Sequence, residues 1–372
     1  MQQARAEHTR HELIRLCHAG LDSRTLRIEI LKRLRIVIPI DLSAFSLTDP
    51  ATLLFTGAVV DDILMRASPQ LLENEFLQDD VNKCAWMVKS NTPVVNLVQA
   101  TGGELERSQR YREILAPLAL GDELRAVLIT GGTCWGFMCL HRDQGSPHFT
   151  LAEAAYLARL TPHFAEGLRT ALLLGRTTGP TVPDEPGVLL LTDDLSVVAT
   201  TPAAERWIAE VAEADWPRKR GLPSAVTAVV ARLLALERGT DDDLMPKVRL
   251  RTVSGHWLVL HASRLSGSSM HRPIAVIFEV ARPVEIAPLI AQAYDLSKRE
   301  GEIMQSVLCG LSTREMADTF HIASHTVQDH LKAIFEKVGV SSRRELVGQL
   351  FAQQYQPQIM SRRDVNANGW FT

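Results

Sequence analysis

Three copies of one local signal lie within fifty residues near the end of this 372-residue chain. In each copy a serine is followed three positions later by a glutamate: Ser297 and Glu300, Ser312 and Glu315, Ser342 and Glu345. In such a capping box the serine oxygen accepts a hydrogen bond from a first-turn amide, and the glutamate accepts one from the amide of the serine. Helix starts this closely spaced predict that residues from about 296 onward form a bundle of short helices.

A further helix is predicted to begin near Ser324 and to end at Gly339, a residue suited to the left-handed conformation that follows a helix. Its apolar residues share one stripe about 100° wide: Val327, Leu331, Ile334, Phe335 and Val338. A short helix over residues 312–320 precedes it across a brief turn. Two short helices joined in this way, the second buried on one side and polar on the other, indicate a helix-turn-helix unit.

Residues 296–351 resemble the LuxR-type helix-turn-helix domain. The matching positions are Leu296 with Arg299-Glu300, Gly310-Leu311-Ser312, Glu315-Met316-Ala317, Thr326-Val327 with His330, Lys337, and Gly339-Val340 with Ser342-Arg343. The resemblance implies an all-α, four-helix domain at residues 291–355. It also implies that the third helix enters the major groove of double-stranded DNA and that the fourth often pairs two copies of the chain.

Carried onto this sequence, the resemblance assigns DNA contacts to one helix. Base-facing positions fall on Gln328, Asp329 and Lys332, and positions that meet backbone phosphates fall on Thr326, His330 and Lys337. The chemistry fits, because Gln can pair with adenine, Asp can accept from cytosine N4, and Lys can donate to guanine. The chain departs from many relatives in having Gln328 where they carry Lys or Arg, and Ala333 where they carry Asn.

Charge does not by itself indicate nucleic-acid binding. The net charge of the chain is −3, and residues 295–355 hold seven Lys or Arg against eight Asp or Glu. Any DNA contact must therefore come from local arrangement. Two alternatives stay open: a helical bundle used only for protein contacts, and an oligomerising sensory or scaffold protein with weak or non-specific DNA binding.

Residues 1–175 combine helical patterns at both ends with strand-like runs between them. A helix is predicted at 10–35, followed by strands at 44–47, 51–60, 94–98, 123–130 and 133–141. Local signals are a Gly131-Gly132 hairpin turn, a Thr150–Glu153 capping box, and Pro162 as a break in the helix that runs to about 174. The segment, most clearly at 123–173 with Gly136 and Phe149, resembles a GAF domain.

Residues 175–186 are rich in Pro, Gly and Thr and predict a linker. Beyond it, strands are predicted at 187–191, 196–200, 248–253, 256–263 and 274–280, with helices at 202–211 and 224–236 between the second and third strands. This order, over residues 186–283, resembles a PAS domain. Both resemblances imply modules that sense a small molecule or dimerise.

Several residues in these two segments invite a ligand hypothesis. Cys139 and His141 alternate on one predicted strand and so share a face, but no further metal or haem ligands accompany them. Trp86, Trp135 and Met138 could line an apolar pocket, although ordinary core positions explain them as well. Asp193-Asp194 is interpreted as a turn and not as a phosphoacceptor, because the alternating β/α pattern of a parallel sheet is missing.

The sequence lacks the signals of several other classes. It has no P-loop, G-x-S-x-G, H-E-x-x-H or G-x-G-x-x-G motif, so no enzyme activity, cofactor or metal is predicted. Five scattered cysteines, no secretory signal and no apolar run of membrane-spanning length predict a cytoplasmic protein.

We therefore predict an α+β multidomain chain with GAF-like and PAS-like antiparallel-sheet domains, an all-α domain at 291–355, and a disordered tail at 356–372. The predicted function is sequence-specific transcription regulation, gated by a ligand or partner. Expected partners are double-stranded DNA, a second copy of the chain, an unidentified small-molecule effector and RNA polymerase.

Overall fold

The computed structural model describes residues 2–174, 185–211, 222–239, 245–266 and 272–349. The chain divides into two compact units. The first comprises Met1–Leu174, Pro186–Leu250 and Val259–Phe278, and the second Gly175–Glu185, Arg251–Leu258 and Glu279–Thr372. Residues 175–184 of the predicted linker and the predicted tail at 356–372 lie outside the described residues. No helix among the described residues is both long and apolar enough to cross a bilayer.

The first unit opens with a five-stranded sheet and its covering helices. Its first elements are α1 (Gln2–Cys17), α2 (Ser23–Leu34), β1 (Leu42–Thr48), β2 (Phe55–Val60), α3 (Asp62–Arg66), α4 (Ser68–Leu77) and α5 (Cys84–Lys89). Next come β3 (Val94–Asn96), α6 (Leu97–Ala100), three single helical turns (Leu105–Arg107, Tyr111–Leu115, Ala116–Leu118), β4 (Leu120–Thr130), β5 (Thr133–Asp143), α7 (Leu151–Ala158) and α8 (Thr161–Leu174). The strand order is β2-β1-β5-β4-β3, with antiparallel neighbours.

The period-two alternation of strand side chains gives this sheet two different faces. On the face that α8 covers, Met138 of β5 lies between its two strand partners, Phe45 of β1 and Ala126 of β4. All three residues are fully buried. The opposite face carries Phe137, Cys139 and His141 on β5, beside Val127, Arg125 and Glu123 on β4. α4 and α5 contribute Leu72 and Met87 to the apolar cluster on that opposite face.

The predicted single helix at residues 10–35 is wrong in its continuity. The structure ends α1 at Cys17 and starts α2 at Ser23. Gly20 between them has a φ of 69°, and the carboxylate of Asp22 accepts from the amides of Arg24 and Thr25 at 3.0 Å each. A capping aspartate after a left-handed glycine begins a new helix, so the leucine spacing on both sides belongs to two helices.

Two predicted strands are shorter in the structure. The run at 51–60 is a strand only over Phe55–Val60, because residues 50–54 turn, with Leu53 at a φ of 56°. The run at 94–98 ends at Asn96, whose side chain accepts from the Gln99 amide and caps α6. The predicted hairpin at Gly131-Gly132 is confirmed, with φ values of 57° and 74°, as is the helix break at Pro162.

A second five-stranded sheet follows. Its elements are β6 (Gly187–Leu191), β7 (Val197–Thr200), α9 (Pro202–Val211), α10 (Ser224–Glu237), β8 (Lys247–Arg251), β9 (Trp257–Arg264) and β10 (Ile274–Val280). The order is β7-β6-β10-β9-β8, so the first and second sheets share one relative strand order. The predicted insertion of helices between the second and third strands is confirmed. The Asp193-Asp194 turn is confirmed too, since Asp194 accepts from the Ser196 amide at 3.3 Å.

The first unit joins its two sheets through α10 and β8. α10 packs on α4 and β2, and the Arg232 guanidinium lies 5.5 Å from the centre of the Phe76 ring. Arg249 on β8 meets the buried carboxylate of Asp49, with Nη2 2.6 Å from Oδ1 and Nε 3.0 Å from Oδ2. Both segments therefore belong to one packed body.

Between residues 283 and 349 the second unit is helical. It contains α11 (Pro283–Ala293), α12 (Lys298–Leu308), α13 (Thr313–Phe320), α14 (Ser324–Val338) and a last helix, α15, over residues 343–349. Its core cluster joins buried side chains of all five helices: Ala287, Ala291, Ile303, Met304, Val307, Met316, Ala317, Val327, Leu331, Ile334, Val338 and Leu346.

Candidate nucleic-acid interface

Two of the predicted capping boxes start α12 and α13 as expected. The amide of Glu300 donates to Ser297 Oγ at 3.3 Å, and the Ser297 amide donates to Glu300 Oε2 at 2.7 Å. Ser312 and Glu315 repeat this exchange at 3.2 and 2.6 Å. These paired bonds satisfy amides that a helix start leaves without partners, which fixes where each helix begins.

The third predicted capping box, Ser342 with Glu345, is wrong about the partner of the Glu345 carboxylate. The Glu345 amide does donate to Ser342 Oγ at 3.1 Å, but the Glu345 carboxylate accepts from the amide and hydroxyl of Ser341, at 2.7 and 2.8 Å. Consecutive serines precede α15, and the glutamate side chain reaches one residue further back than the motif requires.

The turn between α13 and α14 is tight. His321 follows Phe320 with a φ of 53°, and the amide of Ile322 donates to the carbonyl of Ala317 at 3.0 Å. Ile322 itself packs against the core cluster of the second unit. This left-handed ending with an apolar contact closes α13 and sets the direction in which α14 starts three residues later.

One side of α14 is buried, as the predicted stripe requires. Val327, Leu331, Ile334 and Val338 lie in the core with 8% exposure or less, and Phe335 packs against them partly buried. α14 contacts both α12 and α13. Its orientation is thus held along its whole length by apolar contacts, and this fixes which side chains remain outside.

The outer side of α14 carries the predicted base-facing residues. Gln328, Asp329 and Lys332 are exposed, and Thr326 and His330 are partly exposed. All five lie within two turns of one helix, so a single groove about as wide as a helix could meet them together. The structure places these five residues together on one helix.

The sixth predicted residue, Lys337, has partners inside its own domain. Its Nζ donates to Glu300 Oε2 at 2.7 Å and to the carbonyl of Asp295 at 3.1 Å. Burial raises the pKa of Glu300, but the bonds from Lys337 and from the Ser297 amide outweigh it and lower that pKa. An ammonium group has three hydrogens, so one of them is left unused by these two bonds, which hold α14 against the start of α12.

Other basic side chains of the domain are exposed and were not selected from the sequence. Arg314 lies in the first turn of α13, His325 in the first turn of α14, and Arg344 in α15. Only their type and exposure mark them. Arg343, which carries part of the resemblance, donates to the carbonyl of Leu311 and so ties α15 to the loop between α12 and α13.

In the first unit, Cys139 and His141 do share a face, and the sheet sets them beside Arg125 and Glu123. Arg110 Nε donates to Glu123 Oε2 at 2.9 Å, and Arg125 Nε lies 3.0 Å from Glu123 Oε1. Burial raises the pKa of Glu123, but the two guanidinium groups outweigh it and hold that pKa at about 2. Burial lowers the pKa of His141 to about 4, so its ring is neutral at pH 7.

This buried ionic group could not be predicted from the sequence. Its members are Arg110, which directly precedes the helical turn Tyr111–Leu115, residues of β4 and β5, and Glu75 of α4, whose Oε2 accepts from Arg125 at 2.8 Å. No short-range spacing links them. Among the described residues, no three or more His, Cys, Asp or Glu side chains converge to hold a metal ion. Trp86 is 53% exposed, whereas Trp135 and Met138 are buried.

The packing of α12–α15 and the polar outer side of α14 define a helix-turn-helix domain at the end of the chain. Residues 295–349 match the family model "Bacterial regulatory proteins, luxR family". The chain therefore carries a LuxR-type domain there, within the predicted limits of 291–355.

Among curated relatives, the probable transcriptional regulatory protein NarL of Mycobacterium tuberculosis strain H37Rv is 33% identical over 73 residues. This stretch covers 20% of the present chain and 31% of that relative, so the chain matches less than a third of its length.

Three solved structures show a slight overall likeness. SdiA from Escherichia coli has a TM-score of 0.33 at 12% identity, covering 92% of this chain and 96% of that one. The VqsR LBD domain from Pseudomonas aeruginosa has a TM-score of 0.32 at 16% identity, covering 44% and 96%. The GAF domain/HD domain protein from Geobacter sulfurreducens has a TM-score of 0.30 at 18% identity, covering 39% and 92%. Scores this low assign neither sheet, and the GAF-like and PAS-like identities stay predictions.

Proposed function

We propose that this protein is a sequence-specific DNA-binding transcription regulator that reads the major groove with α14. The observation that carries the proposal is the two-sidedness of α14 within a LuxR-type domain. Its apolar side is buried against α12 and α13, while Gln328, Asp329 and Lys332 stay exposed. A helix held in this way can insert its polar side into the major groove while its apolar side stays packed in the core.

The proposed contacts divide by chemistry. Gln328, Asp329 and Lys332 meet base edges, and Thr326, His330 and Lys337 meet phosphates. Lys337 donates to a phosphate oxygen through the one ammonium hydrogen that Glu300 and Asp295 leave unused. Phosphate contacts fix the position of the helix on the duplex, whereas base contacts select the sequence.

The test is binding of the full chain to labelled duplex DNA, followed by fluorescence anisotropy across a salt series. We expect tight binding to sequences selected from a random duplex library and weaker binding to scrambled duplexes. The logarithm of the affinity should fall linearly with the logarithm of salt concentration, by roughly 0.9 per neutralised phosphate. No binding to any duplex in low-salt buffer would contradict the proposal.

We further propose that the first unit gates this activity by binding a small molecule or a partner. A ligand shifts such an equilibrium only if it binds the DNA-competent state with a different affinity. Mass spectrometry of the purified protein under native conditions would detect a retained molecule. Addition of that molecule should change the DNA affinity; an unchanged affinity would argue against gating.

We also propose that the protein binds DNA as a homodimer and acts at promoters used by RNA polymerase, in the cytoplasm. α15 lies at the end of the described domain, and the proposed dimer uses this helix. Sedimentation of the protein–DNA complex should give two chains per palindromic duplex. Deletion of the residues after Glu345 should reduce this to one, and a truncated chain that still binds in pairs would place the contact elsewhere.

A further inference from the structure

β7, at one end of the second sheet, is the most exposed strand of the described residues. Its four residues are all exposed, and Val197 and Val198 are 55% exposed each. The other three edge strands are covered: β2 packs against α10, β3 packs against α7, and the amide of Arg249 in β8 donates to Asp49 Oδ2 at 2.8 Å. In the part of the chain that the structure describes, β7 is therefore the one sheet edge with every residue in solvent.

The sequence of β7 favours pairing with another strand. Natural proteins protect exposed sheet edges with lysine, other charged residues or proline. β7 reads Val-Val-Ala-Thr and has none of these, and three of its four residues are of the β-branched type that suits a strand. An uncharged edge also lets an identical strand approach without like charges facing each other.

The hydrogen bonds to β6 show which backbone groups of β7 point outward. The Thr201 amide donates to the second residue of β6, and the Ser196 carbonyl accepts from the amide that follows β6, at 3.0 Å each. Successive residues of an antiparallel strand turn their backbone groups to opposite sides. The amides and carbonyls of Val197 and Thr200 therefore point away from β6, toward the free edge.

A bulge gives these outward groups an unusual spacing. The pairing of β6 with β7 shifts between Leu190 and Leu191, and Val198 is the extra residue of β7. Val197 and Thr200 are thus three positions apart, whereas outward groups of a regular strand recur every two residues. A regular strand cannot match both positions. A second copy of β7 running antiparallel does, because Val197 of each copy then faces Thr200 of the other.

We propose that β7 strands from two copies of the chain pair antiparallel across a two-fold axis and join their second sheets into one continuous sheet. Val197 and Thr200 exchange amide-to-carbonyl hydrogen bonds in both directions, and the two Val198 side chains lie beside the axis. Such a contact uses the same surface on both copies and closes at two chains. It lies in the first unit, so it is separate from the proposed α15 contact and from DNA binding.

The contact is small, because four residues of each copy take part. We therefore expect it to form at protein concentrations above those needed for DNA titrations. Sedimentation velocity of the full chain without DNA, across a concentration series, should show a reversible shift from one chain to two. A protein that sediments as one chain at every concentration would overturn the proposal, whereas its binding to DNA would be unaffected.

Thr200→Pro tests the pairing through the backbone. Proline removes an outward amide that β6 does not use, and it is tolerated on edge strands in that position. The dissociation constant of the dimer should rise by about tenfold or more, since two backbone hydrogen bonds of the dimer are lost. A variant that dimerises as well as the unsubstituted chain would place the contact elsewhere and overturn the proposal.

A charge pair at Val198 gives a test that a folding defect does not imitate. Val198→Lys and Val198→Glu should each sediment as one chain, because like charges meet at the axis, and an equal mixture of the two should form dimers. Val253→Lys, at a 69% exposed turn position, adds the same charge elsewhere and should dimerise normally. A mixture that fails to associate, or single variants that dimerise like the unsubstituted chain, would overturn the proposal.

Discussion

Lys332 carries the one formal positive charge among the three side chains proposed to face base edges. If it donates to a guanine, Lys332→Ala should cost about 1–3 kcal/mol on the selected sequence and much less on scrambled DNA. Anisotropy titrations on both duplexes measure this difference. Site preference that is unchanged in Lys332→Ala would remove Lys332 from the base-reading set.

A matched variant separates local reading from bulk charge. Lys298 is exposed at the first residue of α12, so Lys298→Ala removes the same charge from a different helix. Lys298→Ala should lower the affinity for the selected and the scrambled duplexes about equally, if it lowers either affinity at all. Equal behaviour of the two variants would mean that Lys332 supplies only long-range attraction.

His141 gives the first unit a predictable response to acid. Its folded-state pKa is lowered from 6.5 to about 4 by burial, so the unfolded chain takes up this proton first as pH falls. Stability is therefore present above pH 6.5 and is lost between 6.5 and about 4, by roughly 3 kcal/mol for this group.

Urea unfolding of the wild type and of His141→Gln at several pH values across this window isolates the effect. Glutamine does not titrate, so the variant should lose less stability on acidification than the wild type. Glu123 loses its own contribution to stability between its ordinary pKa of 4.5 and about 2, so the two proteins are compared above pH 4.5. Identical pH slopes in both proteins would show that His141 is not neutral when folded.

The glycine that follows α14 lies in the left-handed conformation that ends the helix. Gly339 has a φ of 77°, and a Cβ placed there would meet no atom within 4 Å. Gly339→Ala should therefore destabilise the second unit by about 1 kcal/mol through backbone strain alone. Thermal unfolding of this unit would measure the loss, and no loss would mean that α14 can end in another conformation.

The control for this substitution is Gly301→Ala in the middle of α12. A Cβ there would meet only Ala291 Cβ, at the ordinary contact distance of 3.5 Å. Alanine has the higher helix propensity, so this variant should stabilise the same unit by up to about 1 kcal/mol. The two glycine replacements should thus shift the unfolding midpoint in opposite directions.

Elements specified by local bonds were the ones that could be predicted. The starts of α12 and α13 depend on a serine and a glutamate three residues apart, and Gly131-Gly132 is enough to turn a hairpin. The break at Gly20 was missed because the leucine spacing continues on both sides of it. α3, α4 and α5 were not predicted, since these short helices owe their stability to the sheet below them more than to propensity.

The buried Asp49–Arg249 pair links the two sheets of the first unit and should contribute strongly to its stability. Asp49 is 2% exposed, and Asp49→Asn leaves a guanidinium facing a neutral amide in a buried setting. We expect a loss of roughly 3 kcal/mol in the stability of the first unit. Asp193→Asn alters the same kind of pair with Arg264 at an exposed site and should cost less than about 1 kcal/mol.

Urea unfolding of both variants tests this contrast. Similar losses in the two would mean that the buried pair does not hold the two sheets together. The Asp49–Arg249 pair could not be predicted from the sequence, because 200 residues separate its two members. The candidate DNA-contacting residues were visible because they share one helix, whereas Glu75, Arg110, Glu123 and Arg125 meet only once the fold exists.

α4 has a neighbour on each side: the face of the first sheet lies under Leu72 and Phe76, and α10 lies over it. A helix packed between two surfaces cannot move away from one without displacing the other, because close-packed interiors transmit displacement. We therefore expect any molecule that binds between α4 and the first sheet to displace α10 as well.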